Sequence, residues 1–188
     1  MKKSIFVLMI ALMGTLLGSS IMVQGQTNAA TNGLSLGLPE LNLLSSASTS
    51  INLQLTTAVA GAAVKSSISD STARVKISSV VAAAATRKIS AKVTGTIPGG
   101  TKLLLRALNP NSNFGGNMGN LIGSDVQLST SDADIVTNIG SCYSSTGSDD
   151  GYVLKYTWGL NNPASTYGDV RATSGTAITV TLTLSAGS

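Results

Sequence analysis

Apolar residues recur at every second position along much of this chain. Leu34, Leu36 and Leu38 alternate with Gly33, Ser35 and Gly37, and Leu41 and Leu43 resume the alternation after Pro39. Successive side chains of a pleated strand face opposite sides, so a period of two predicts strands with one apolar face. Pro39 has no N–H for a ladder, which puts the Leu34 to Leu43 piece at a sheet edge or splits it in two. Ile51, Leu53 and Leu55 repeat the pattern, and so do Val75 and Ile77 between Arg74, Lys76 and Ser78. Ala58 to Ser71, rich in Ala and Ser, reads as a loop or short helical turn. Val80 to Ala85 reads as a connection, because six residues cannot sustain a helix alone.

Arg87 to Thr94 alternates cleanly, with Ile89, Ala91 and Val93 expected inward and Lys88, Ser90, Lys92 and Thr94 outward. Ile97-Pro98-Gly99-Gly100 predicts a turn, and Lys102 to Leu108 is the expected hairpin partner of the preceding strand. Asn109 to Gly123, rich in Asn and Gly, predicts a long exposed loop. Val126 and Leu128 mark a short strand, Ile135, Val136 and Ile139 another, and Gly140 to Gly151 a second polar loop. Tyr152, Leu154, Tyr156, Trp158 and Leu160 form the longest aromatic alternation, and after a connection over Pro163 to Ser174, Ile178, Val180, Leu182 and Leu184 form the last strand. About eight strands separated by polar turns, with no long helix, predict an all-β fold. The expected form is an antiparallel two-sheet immunoglobulin-like sandwich, with a closed barrel as the alternative.

The first residues break this pattern. Lys2 and Lys3 precede an apolar run from Ile5 to Leu17, and Gly18 to Gly25 is small and polar, which predicts a secretory signal peptide over 1–25. Its run of about 13 apolar residues is shorter than the roughly 20 that a helix needs to span a bilayer, so no membrane span is expected. Cleavage before Gln26 leaves a flexible lead-in over 26–33 and a single β-sandwich domain over 34–188 of roughly 160 residues. The expected compartment is the periplasm, the cell surface or the medium.

Composition narrows the chemistry. Aromatic residues are only 4% of the chain, so packing rests on Leu, Val, Ile and Ala. The net charge of +4 falls to about +2 without the two signal lysines, and the basic residues are scattered in sequence, so no nucleic-acid partner is expected. The single cysteine, Cys142, excludes an internal disulfide and leaves a buried small hydrophobe or a free thiol. The chain has no histidine, which removes imidazole-based catalysis and metal ligation.

Two carboxylate pairs are the remaining candidates. Asp132 and Asp134, and Asp149 and Asp150, are hard oxygen donors suited to calcium or to paired-acid glycoside hydrolysis, yet the ligand spacing of a calcium loop and a sugar-stacking platform are missing. The abundant serines lack a base partner, and Gly115, Gly116 and Gly119 lack the strand-to-helix context of a phosphate loop. Tyr152, Tyr156 and Trp158 fall on one side of one strand, as core residues do. No catalytic, cofactor-binding or metal-binding residue is therefore assigned, and the chain is not expected to be an enzyme.

The strings Arg87-Lys88-Ile89-Ser90-Ala91-Lys92-Val93 to Ile97-Pro98, Asp134-Ile135-Val136-Thr137-Asn138-Ile139-Gly140, Leu154-Lys155-Tyr156-Thr157 and Thr179-Val180-Thr181-Leu182-Thr183-Leu184 carry a resemblance. Together they resemble a family of small secreted β-sandwich proteins of Gram-negative bacteria without assigned function. In layout alone the chain is similar to pilin subunits of chaperone-usher systems, which usually pair two cysteines where this chain has only Cys142. The apolar, alternating strand expected at Leu34 to Leu43, which can add to another subunit's sheet edge, leads to the expectation of a non-enzymatic structural, adhesive or pilin-like surface protein that assembles by strand addition. The expected partner is a second copy or another surface protein, engaged through Leu34 to Leu43. The alternative expectation is a secreted carbohydrate- or calcium-binding module using the loops at Asn109 to Gly123 and Gly140 to Gly151.

Overall fold

The structure, a computed structural model, describes residues 31–46, 50–56 and 59–187. The expected signal peptide over 1–25 and the first part of the lead-in lie outside the described residues. Contacts divide the chain into two units, Met1–Gly37 and Leu38–Ser188. In the first, positions 31–37 carry no strand or helix and are exposed.

The second unit is all-β. Its strands are β1 (Leu41–Ser46), β2 (Ser67–Val80), β3 (Arg87–Thr94), β4 (Thr101–Leu108), β5 (Gly115–Gly116), β6 (Asn120–Leu121), β7 (Val126–Gln127), β8 (Ala133–Ile139), β9 (Cys142–Tyr143), β10 (Tyr152–Leu160) and β11 (Thr179–Ala186). A single turn of helix, α1 (Pro163–Thr166), runs into a 3-10 turn at Tyr167–Asp169. Asn162 caps α1 through its side chain, and Pro163 opens it, where its missing N–H costs nothing.

These strands make two antiparallel sheets. The larger runs β5-β9-β2-β10-β4-β7, with β1 added to the other side of β2, and the smaller runs β11-β3-β8-β6. Each has one apolar face that must be covered. The larger sheet contributes Ala73, Val75 and Ile77 from β2, Leu103, Leu105 and Ala107 from β4, and Tyr152, Leu154 and Tyr156 from β10. The smaller contributes Ile89, Ala91 and Val93 from β3, Val136 and Ile139 from β8, and Leu184 from β11. The alternation read from the sequence thus marks which side chains make the core.

Irregularities appear where the period breaks. Val136 and Ile139 are both fully buried although three apart, because a register shift between their β3 partners, Ile89 and Arg87, absorbs one residue. Asn138 takes φ +57° there, a conformation that Asn tolerates better than most residues. In β2 the pairing with β10 shifts between Leu154 and Tyr156. Asp70 accepts from the backbone N–H of Thr72 at 2.9 Å and from its hydroxyl at 2.7 Å beside that shift.

Three expectations are corrected. The strand expected over Leu34 to Leu43 begins only at Leu41, and positions 31–40 are outside any ladder. Pro39 gives the reason, since the ladder starts two residues beyond the missing donor. Glu40 then fixes the strand entry through an ion pair to Arg87 at 2.9 Å. The segment Ile51 to Leu55 keeps its alternation, with Ile51, Leu53 and Leu55 half-buried, but forms no ladder.

The third correction concerns topology. β3 and β4 are not a hairpin: β3 pairs with β11 and β8, whereas β4 pairs with β10 and β7. The predicted turn is present, with Thr101 N–H donating to Pro98 C=O at 3.2 Å, but it carries the chain from one sheet to the other. Gly100 adopts φ +70° in that crossing, and a Cβ on it would lie 2.7 Å from Thr166 O. Seven strands have six or more residues; of the four two-residue bridges, β5, β6 and β9 lie inside the expected loops and β7 falls at the short strand expected at Val126 and Leu128.

Candidate functional site

Leu34, Leu36 and Leu38 carry the largest apolar exposure among the described residues, at 81%, 86% and 81%. Burying a leucine is worth roughly 1.5–3 kcal/mol, so three left in water outside any strand or helix is an unusual arrangement. Isolated exposed leucines need no explanation, but three at a spacing of two offer one apolar edge to any strand partner.

In the Leu38–Ser188 unit, β1 has a single ladder neighbour, β2, from Leu41 opposite Val80 to Ser46 opposite Val75. Its two faces differ. Leu44 packs toward the core, and the Asn42 side chain donates to Leu184 C=O of β11 at 3.2 Å, tying the two sheets together at this edge. Leu41 and Leu43 point the other way and are exposed.

Rows across the sheet extend this outer face. Leu43 lies opposite Ser78, Ser78 opposite Tyr143, and Tyr143 opposite Gly115. Tyr143 is 58% exposed, and with Leu41, Val80 and Gly116 it lines a shallow depression of about 400 Å³. The glycines allow it: a Cβ on Gly115 would lie 2.5 Å from the Tyr143 ring, and one on Gly116, at φ +82°, would lie 2.1 Å from Ser141 O. Tyr143 was not singled out from sequence, and its only signal is an aromatic residue within a polar loop.

The other candidates resolve into structure. Cys142 is buried, and desolvation pushes its thiol up to about 11, so it is protonated at neutral pH. Asp134 pairs with Lys88 at 3.1 Å and Asp132 with Lys92 at 3.6 Å on the smaller sheet. Asp150 is buried and accepts from Asn111 Nδ2 at 2.6 Å, Asn113 Nδ2 at 3.2 Å and Gly147 N–H at 2.6 Å. These bonds, the Asn111 side chain foremost, hold its carboxyl below the usual range and pin the two polar loops to each other. Asp149, its neighbour, is exposed.

Among the described residues no group of three or more His, Cys, Asp or Glu side chains comes together. No helix there is long and apolar enough to cross a membrane. Tyr152 and Tyr156 lie in the core and Trp158 packs against it, donating from Nε1 to Thr101 Oγ1 at 3.0 Å. No protein-family model, curated protein or solved structure matches the chain.

Proposed function

We propose that this chain is a non-enzymatic structural or adhesive protein of the cell surface that assembles by strand addition, with Leu34 to Leu38 as the donor segment. The single observation behind this reading is the high exposure of Leu34, Leu36 and Leu38, leucines at every second position outside any ladder. Such a segment supplies main-chain donors and acceptors at every residue and an apolar side chain at every second one, which are the two requirements for joining a sheet edge of another molecule. The one-sided pairing of β1 offers an edge of the kind that accepts it.

Solution mass over a range of concentrations tests the reading. The protein lacking residues 1–25 is expected to form dimers or larger species. The variant Leu34→Ser/Leu36→Ser/Leu38→Ser is expected to remain a monomer with an unchanged melting temperature, because the three leucines support no core. A parent protein that stays monomeric at every concentration removes the proposal.

A further inference from the structure

The fold gathers basic residues that lie far apart in sequence. β2, β10 and β4 are adjacent in the larger sheet, and their inward positions are occupied by Val75, Leu154 and Leu105 and their alternates. The pleat therefore sends Arg74 and Lys76 of β2, Lys155 of β10, and Lys102 and Arg106 of β4 to the solvent face. Lys155 stands directly opposite Arg106, and Arg74 opposite Val153 one step along. With strands ~4.8 Å apart and alternate residues ~6.8 Å apart, Arg74, Lys155 and Arg106 form a diagonal stripe across three strands.

Nothing on these strands neutralises the stripe. β4 and β10 contain no acidic residue, and the one acid of β2, Asp70, hydrogen-bonds Thr72 and makes no ion pair with these cations. Asp125, one residue before β7, flanks the Arg106 end but makes no ion pair. All three ion pairs among the described residues involve other cations, Arg87, Lys88 and Lys92. The smaller sheet thus matches its outer lysines with aspartates, whereas the cations of the larger meet no carboxylate: Arg74 Nη1 donates to the carbonyls of Ser71, Thr72 and Ala73, Lys76 Nζ donates to Thr146 C=O, and each keeps its full charge. Like charges placed directly opposite on neighbouring strands are destabilising, so the Lys155 and Arg106 pair is a cost that packing does not explain. Three buried polar atoms without hydrogen-bond partners, Arg74 Nε, Ser79 Oγ and Thr157 Oγ1, belong to these same strands.

We infer that this face binds a linear acidic polysaccharide, its carboxylates or sulfates lying along the stripe from Lys76 through Arg74 and Lys155 to Arg106. The surface is a flat pleat, which suits an extended polyanion better than a small ion. Base recognition is disfavoured because β2, β10 and β4 present no aromatic side chain to solvent, Trp158 being packed against the core. This inference stands apart from strand addition and does not use Leu34 to Leu38.

Binding to polygalacturonate and to heparin tests it, with single-stranded DNA and phosphatidylglycerol vesicles as the competing arms. Affinity for at least one glycan should fall steeply between about 50 and 200 mM salt, as for any site that releases counterions. Lys155→Gln/Arg106→Gln should weaken it about tenfold or more while leaving the melting temperature unchanged or raised. Lys88→Gln/Lys92→Gln, on the other sheet, should leave affinity unchanged, and Asp125→Asn should strengthen it. Equal weakening by both double variants, no glycan binding, or tighter binding to DNA or vesicles would each overturn the inference.

Discussion

Tyr152 and Tyr156 are two tyrosines on the same face of the same strand, and only one has a partner for its hydroxyl. Tyr152 is 1% exposed, and its O–H donates to Met118 C=O, which anchors the loop between β4 and β8 to the core. Tyr152→Phe keeps the ring and its packing, so the effect isolates the hydroxyl. A net hydrogen bond is worth about 0.5–1.5 kcal/mol, and a buried carbonyl left without a partner adds to the loss, for a total of about 1–3 kcal/mol. In a unit of this size, that corresponds to a fall in melting temperature of about 3–10 °C. Tyr156→Phe, with no hydrogen bond to lose, should change stability by less than about 0.5 kcal/mol.

Alkaline pH gives a second readout. Burial pushes the Tyr152 phenol far up and the Tyr156 phenol to about 12, whereas an unfolded tyrosine ionises near ~10. The unfolded state therefore sheds protons first, and stability is lost as pH rises from ~10 toward the folded values. Tyr152→Phe should flatten part of that decline relative to the parent. Urea titrations at pH 7 and at ~10.5 measure both effects. Equal losses in the two Phe variants at pH 7 would refute the assignment of the hydroxyl bond as the anchor.

Three further outcomes follow from named residues. Asp150→Asn should lower the melting temperature at pH 7. The gap to the parent should close as pH falls below ~4, since a carboxyl held low stabilises only while ionised in the folded state. Cys142 should resist a thiol-reactive dye in the native protein and react fully in urea, because the folded thiol is buried and protonated; fast native labelling would contradict its placement. Ala84 sits at φ +63° in the exposed link between β2 and β3, so Ala84→Gly should raise stability by up to about 1 kcal/mol, read from thermal melts.

Much of the fold was readable because burial follows the period of the side chains. Arg87 to Thr94 and Tyr152 to Leu160 match β3 and β10 residue for residue. What stayed hidden depends on partners rather than patterns. The alternation of Arg87 to Thr94 marks an inward face but not which sheet supplies its neighbours, so the turn at Pro98 to Gly100 read as a hairpin. β5, β6 and β9 are two-residue bridges, too short to show a period. The candidate surfaces were unevenly legible. Leu34, Leu36 and Leu38 stood out from their spacing, whereas Arg74, Lys155 and Arg106 share a face only through the pairings of β2, β10 and β4.

The side chain of Asn42 reaching Leu184 has a consequence for how the molecule comes together. It joins the first strand to the last, 142 residues away. β11 in turn completes the smaller sheet by pairing with β3, which is made long before it. Contacts so distant in sequence are closed late and slowly. A chain folding from its N-terminus therefore waits for β11 before the smaller sheet can close, and losing β11 would leave one edge of β3 without a ladder partner along its whole length.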